Sequence, residues 1–252
     1  MAKIYFLIVI IIGASAGSFS HAMALRLACP ERYQKKYRSV CETCGRKLSP
    51  YDMIPIISFI LLKGHCRTCH HKLSSTLLFA EIGSSLFYAG VFADPISLSY
   101  KLPYLLVFHL LLTSAIADLH FKIIPNRLLL ILFLLSLLFI WFLPLSISSR
   151  LLGLLLGLGL PLLVLTLTRG GLGGGDVKLF MLLGWLIGWF LLLRLMILSC
   201  TCGILGFLLL RLFKKKSKIP RLLPFAPFIL IGFLLEFIWV FWRSTEFLFF
   251  RG

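Results

Sequence analysis

Residues 151–168 read "LLGLLLGLGLPLLVLTLT", and residues 195–212 read "LMILSCTCGILGFLLLRL". Arg211 is the only charged residue in the two stretches. A helix crosses the hydrocarbon core with roughly 17–25 residues, so each run is long enough to span a bilayer. Lipid offers no partner for an unpaired backbone group, which restricts the chain to helices or a closed barrel. The runs do not alternate with a period of two, and that leaves helices. Other stretches follow the same pattern. Eight spans are predicted, at 4–24, 76–93, 102–118, 128–145, 151–168, 177–193, 195–212 and 222–242, with only Arg194 to turn the chain between the sixth and seventh. The composition agrees: 14% of residues are charged, against about 25% in a soluble domain. The expected fold is an all-α polytopic membrane protein of about eight transmembrane helices.

A net charge of +17 would suggest nucleic acid in a soluble chain. Here the charge follows topology. With the N-terminus outside, the inner segments 25–75, 119–127, 169–178 and 211–221 hold 20 of the 26 Lys and Arg residues. Shifting the count by one span would reverse this bias, so the positive-inside rule favours eight spans. The expected partner is the lipid bilayer, with no nucleic acid, and "KKKSK" at 214–218 reads as an anchor to anionic lipid. Residues 1–17 have the outline of a signal peptide, with "ASA" as a cleavage-like site. The basic segment that follows argues against export, so they are read as an uncleaved first span. The division is then a first transmembrane helix (1–24), a polar cytoplasmic segment (25–75) and a membrane-embedded region of about seven helices (76–252).

The polar segment is too small to bury much of a core, and a staple is expected. It contains "CETC" and "CRTC", placing Cys41, Cys44, Cys66 and Cys69 as two C-x2-C pairs. Each pair suits a zinc knuckle, and two knuckles complete a closed tetrahedral site. The expected role is structural, because a closed site leaves no position for water and supplies folding energy. The competing readings are free thiols or redox pairs.

Two carboxylates stand out. Asp118, in "SAIADLHFKIIPN", ends the third span, and Asp176, in "GGLGGGDVKLF", begins the sixth. On the predicted topology both lie at the inner surface, where they can meet. The glycines allow close backbone approach and positive φ. The helix dipole favours the ionised form of Asp176, while Asp118, at a helix C-terminus, is the harder one to ionise. Such a pair can share one proton, one carboxylate activating water while the protonated partner polarises a peptide carbonyl. The competing readings are helix packing by the glycines and ion pairs with Lys122 and Lys178. An ion-coupled transporter would place its carboxylates at mid-membrane between repeats; no repeat is visible in this chain. His21 and His109 read as packing histidines.

These residues resemble the bacterial type IV prepilin peptidases, the leader peptidases and N-methyltransferases of the GxGD-type membrane aspartic proteases. The matching stretches are "GSF" at 17–19, the two cysteine pairs, "YDMIPIISFILLKGHC" at 51–66, Glu81, "D…IP" at 118–125 and "GGGDVKLFMLLGWLIG" at 173–188. The resemblance implies that Asp118 and Asp176 are catalytic and that Cys41, Cys44, Cys66 and Cys69 hold zinc. It implies removal of the short basic leader of type IV prepilins or type II secretion pseudopilins, at the cytoplasmic face of the bacterial inner membrane. It also implies methylation of the new N-terminus with S-adenosylmethionine, with Glu81 and Asp52 as candidate residues of that site. The sequence departs from the family at "SHAMALRLACP", "STLLFA" and "IPN". These departures leave both aspartates untouched, so a peptidase without methyl transfer is the alternative.

Overall fold

The computed structural model describes residues 2–33, 40–41, 43–93, 98–139, 145–168, 171–213 and 224–242. The "KKKSK" run, the end of the predicted fourth span and the start of the eighth lie outside them. The described residues are helical apart from loops, turns and two isolated bridges, Val40 with Lys47 and His65 with Lys72. Among the described residues, five helices are long and apolar enough to cross a membrane: Ile4–Ala28, Ser75–Ala93, Lys101–Phe121, Ile147–Leu167 and Gly174–Leu212. Large apolar side chains such as Ile4, Phe79, Leu86 and Leu212 are exposed along them, as lipid-facing surfaces require. The chain forms two compact units, Met1–Ile116 and Ala117–Gly252.

The first unit holds α1 (Ala2–Ala28), α2 (Pro30–Tyr33), a 3-10 turn (Pro50–Met53), α3 (Ile57–Leu61), α4 (Ser75–Ala93) and most of α5 (Leu98–Phe121). Helices α1 and α4 pack backbone to backbone. A Cβ on Gly17 would overlap the Ala80 carbonyl, and one on Gly13 would come within 2.9 Å of the Ser84 oxygen. Lipid supplies no hydrophobic drive between helices, so this close contact is what holds them. The "ASA" stretch at 14–16 is helical and borders the seam. Phe87 of α4 stacks on Phe108 of α5 at 4.1 Å between centroids. His109 is hydrogen-bonded on both ring nitrogens, to Ser20 at 2.8 Å and Tyr88 at 3.1 Å, as a packing histidine should be.

The second unit holds the end of α5, then α6 (Asn126–Phe139), α7 (Ile147–Leu167), α8 (Gly174–Phe213) and α9 (Ala226–Trp242). Helices α7 and α8 share a glycine seam, where a Cβ on Gly153 would overlap the Gly184 carbonyl and one on Gly157 the Phe180 carbonyl. Gly157→Leu should therefore destabilise this unit by about 3 kcal/mol, since the clash is with backbone that cannot rotate away. Gly159, two residues on, faces open space. Thermal unfolding in detergent should show a clear fall for Gly157→Leu and little change for Gly159→Leu.

The 40 residues of α8 would measure about 60 Å as a straight helix, twice the hydrocarbon thickness. They are broken at Gly188, where φ is 78° and ψ 171°. This corrects the turn expected at Arg194. Glycine alone adopts that backbone conformation readily, and a Cβ there would lie 2.7 Å from the Ser149 hydroxyl. The break strands carbonyls, and the buried Arg150 guanidinium reaches one of them, Trp185 O, at 3.4 Å. Arg194 instead sits within helix, paired with Glu236 at 3.2 Å and 3.7 Å over the Trp239 ring.

Candidate active site and metal centre

Asp118 lies in the last turn of α5 and Asp176 in the first turn of α8. Both are more than nine-tenths buried. The two carboxylates lie within electrostatic range of each other, although 58 residues separate them in sequence. Neither forms an ion pair among the described residues. Lys178 binds Asn126 Oδ1 at 3.0 Å instead, and Lys122 acts on Asp118 only at longer range.

Their hydrogen bonds fall the other way round from the sequence expectation. Asp118 Oδ2 accepts the Ala226 N–H at 3.0 Å, and the Phe225 N–H also points to this carboxylate. Asp118 thus caps the N-terminus of α9, which is the positive end of a helix dipole. Pro227, in the first turn of α9, fixes that start. Asp176 does lie at a helix N-terminus, and the Gly173 N–H reaches back to it in half of a capping box. Its Oδ1, however, is buried with no partner. The glycines serve by their smallness. A Cβ on Gly173 would sit 2.8 Å from Asp176 Oδ2, and one on Gly175 would sit 3.0 Å from the Ile124 Cβ. Positive φ, also expected there, does not occur among Gly171, Gly173, Gly174 and Gly175.

The four cysteines converge. All four Sγ atoms of Cys41, Cys44, Cys66 and Cys69 lie within 4.8 Å of one another, and Cys41 and Cys69 are 3.7 Å apart. A tetrahedral metal with thiolate bonds of about 2.3 Å needs edges near 3.8 Å, so the set fits a metal ion. The two knuckles repeat one construction. Cys41 N–H donates to Arg46 O, and Gly45 N–H to Cys41 O; Cys66 N–H donates to His71 O, and His70 N–H to Cys66 O. Gly45 and His70 occupy matching positions, both with positive φ. Backbone N–H groups of Cys69 and Thr68 draw the Cys66 thiol down to about 6, toward the thiolate that binds metal.

Asp52 clasps the two knuckles. Its carboxylate meets Arg46 at 3.1 Å and Arg67 at 2.9 Å, and accepts the Ser49 hydroxyl at 2.8 Å. Burial pushes its pKa up, but the Ser49 and Arg67 hydrogen bonds outweigh that and hold it below the ordinary 3.8. A lowered folded pKa stabilises above the unfolded value and loses that contribution as pH falls through the folded one. Asp52→Asn should loosen the knuckles by about 1 kcal/mol at pH 7, a modest cost because both arginines are partly in water. Hydrogen exchange over 41–72 should show this gap closing below pH 4.

Glu81, 3% exposed, stands inside α4 about 9 Å from its first residue. Its Oε2 accepts the Ile56 N–H at 2.7 Å, and Ser18 donates to the same carboxylate. Ile56 has φ 63° and ψ −53°, with Ile57 N–H bonded back to Pro55 O at 2.6 Å. This is a strained γ-turn, costing on the order of 1–3 kcal/mol for a β-branched residue.

Residues 11–94 match the Bacterial Peptidase A24 N-terminal domain, and residues 105–209 match the Type IV leader peptidase family. The prepilin leader peptidase/N-methyltransferase of Bacillus subtilis is 33% identical over 248 residues, covering 92% of this chain and 93% of that one. The chain belongs to the type IV leader peptidase family. The peptidase is also similar to the prepilin leader peptidase/N-methyltransferases of Vibrio cholerae, 26% identical over 94% of this chain and 98% of that one, and Pseudomonas aeruginosa, 30% identical over 83% and 76%. No solved structure matches it.

Sequence reasoning missed two parts of these candidate sites. The donors to Asp118 are backbone N–H groups, which no side chain announces; Pro227 was the available signal. The γ-turn at Ile56 had none, since a β-branched residue argues against positive φ.

Proposed function

We propose that this leader peptidase is an aspartic endopeptidase of the bacterial inner membrane, with Asp118 and Asp176 as its catalytic pair. It removes the short basic leader of type IV prepilins or type II secretion pseudopilins. The observation that supports this reading is the burial of two carboxylates within electrostatic range of each other, one supplied with donors and the other with an oxygen left unpartnered. Asp118, held by the Ala226 N–H, takes a proton from water. The water oxygen attacks the scissile carbonyl, and Asp176 Oδ1 gives that carbonyl the shared proton. The same proton economy then returns a proton to the leaving amine as the peptide bond breaks.

The two halves of α8 are each counted as a span, giving eight with α1, α4, α5, α6, α7 and α9. With the N-terminus outside, 20 of 26 Lys and Arg face the cytoplasm, together with the aspartates and the knuckles. The substrate's basic leader lies on that same side. Cys41, Cys44, Cys66 and Cys69 hold a structural zinc. S-adenosylmethionine supplies a methyl group to the new N-terminal amine, which loses a proton to accept it. Glu81 belongs to that second site, while Asp52 supports it indirectly by clasping the knuckles. Mass spectrometry of a prepilin incubated with the purified protein tests the whole reading. Loss of the leader, and a methyl group added only with S-adenosylmethionine, are expected. An intact prepilin would overturn the first activity, and an unmethylated product the second.

A further inference from the structure

In the unit Met1–Ile116, a cavity of about 460 Å³ opens between α1, α4 and the two knuckles. That volume suits a small-molecule ligand. Phe19, Met53 and Phe59 give it apolar and aromatic walls. Its charged lining divides into two sets. Arg46 and Arg67 both pair with Asp52, which leaves that set one positive charge in excess. Arg26 and Glu81 remain, and neither makes an ion pair among the described residues. Glu81 takes its hydrogen bonds from neutral donors, the Ile56 N–H and Ser18. An acid so deeply buried without a cation is costly to ionise, and a positively charged ligand group placed against it would lower that cost. The strained turn at Ile56 directs its N–H at Glu81 and so fixes the carboxylate at the cavity wall. The cavity thus presents a carboxyl with no cation beside it, an arginine with no carboxylate, a small excess of positive charge from the Asp52 set, and aromatic surface.

We infer that this cavity binds the methyl donor, with Glu81 facing its positive sulfur, Arg26 its carboxylate and the aromatic wall its adenine. The inference rests on the methyl-transfer reading above and assigns it a place. S-adenosylmethionine carries a sulfonium, a carboxylate and a flat purine in one molecule, and the lining complements each.

Two measurements on the full-length protein in detergent test this. In equilibrium dialysis with labelled S-adenosylmethionine, Glu81→Gln and Arg26→Gln should each bind roughly tenfold more weakly or worse, the effect of losing a charge-assisted contact. Retained metal content and a single size-exclusion peak show that the variants are folded. Ultraviolet cross-linking of the labelled donor to the wild type, with peptide mapping, needs no variant. Label within 15–33 or 46–81 is expected. Label confined to 117–252, or unweakened binding by both folded variants, would overturn the cavity assignment alone. A wild type that binds no donor would overturn the methyl-transfer reading with it.

Discussion

Asp118→Asn and Asp176→Asn should each reduce leader removal by at least about 10³-fold, equivalent to roughly 4 kcal/mol of transition-state stabilisation. The substitutions are chosen to spare the fold. An asparagine at 118 keeps an oxygen to accept the Ala226 N–H, so α9 stays capped. An asparagine at 176 keeps the size of the side chain beside Gly173. Each variant loses the ability to exchange a proton with its neighbour. Because the two act as one unit, the double variant should be little slower than either single one. Initial rates on purified prepilin, with melting temperatures as control, provide the comparison. A single variant that cleaves at near the wild-type rate would refute the pair.

Replacing Cys41 and Cys66 together by serine should empty the metal site and unfold the segment between α1 and α4. The reason lies in what that segment buries. Between residues 43 and 74, only Gly64 and Cys66 are buried among the described residues, with Cys41 just before them. Tyr51, Ile60 and Leu61 are 74%, 63% and 76% exposed. With so little apolar burial among the described residues, folding is expected to draw on metal binding at the proposed site, worth about 10–16 kcal/mol in small four-ligand domains. Elemental analysis should give one zinc per wild-type chain and none in the variant. Limited proteolysis should cut the variant within 43–74 and spare its membrane helices. A variant that resists protease as well as the wild type would show that metal does not hold the segment.

Much of this was legible in the sequence, and the misses have physical reasons. The long apolar runs gave the helical class because lipid leaves a spanning chain few alternatives. The paired C-x2-C spacing brought four sulfurs together because each knuckle is a local turn, closed by hydrogen bonds a few residues apart. The helix break was placed at Arg194 because a charge inside an apolar run reads as a loop. Arg194 instead finds Glu236 and Trp239, partners on a helix distant in sequence. The break falls at Gly188, one of several glycines in the chain that read alike until φ is known. The expected order of the two aspartates reversed for a similar cause. Position within its own helix suggested that Asp118 lacked donors, and a different helix provides them.

That arrangement gives one side chain two duties. Asp118 is both a reacting group in the proposed chemistry and the stopper of α9. Each time turnover loads it with a proton, the bond at the helix entrance falls from a charge-assisted hydrogen bond to a neutral one, a loss of about 1 kcal/mol. Reaction and architecture thus share a hinge pin, and every catalytic cycle should briefly slacken the start of the last described helix.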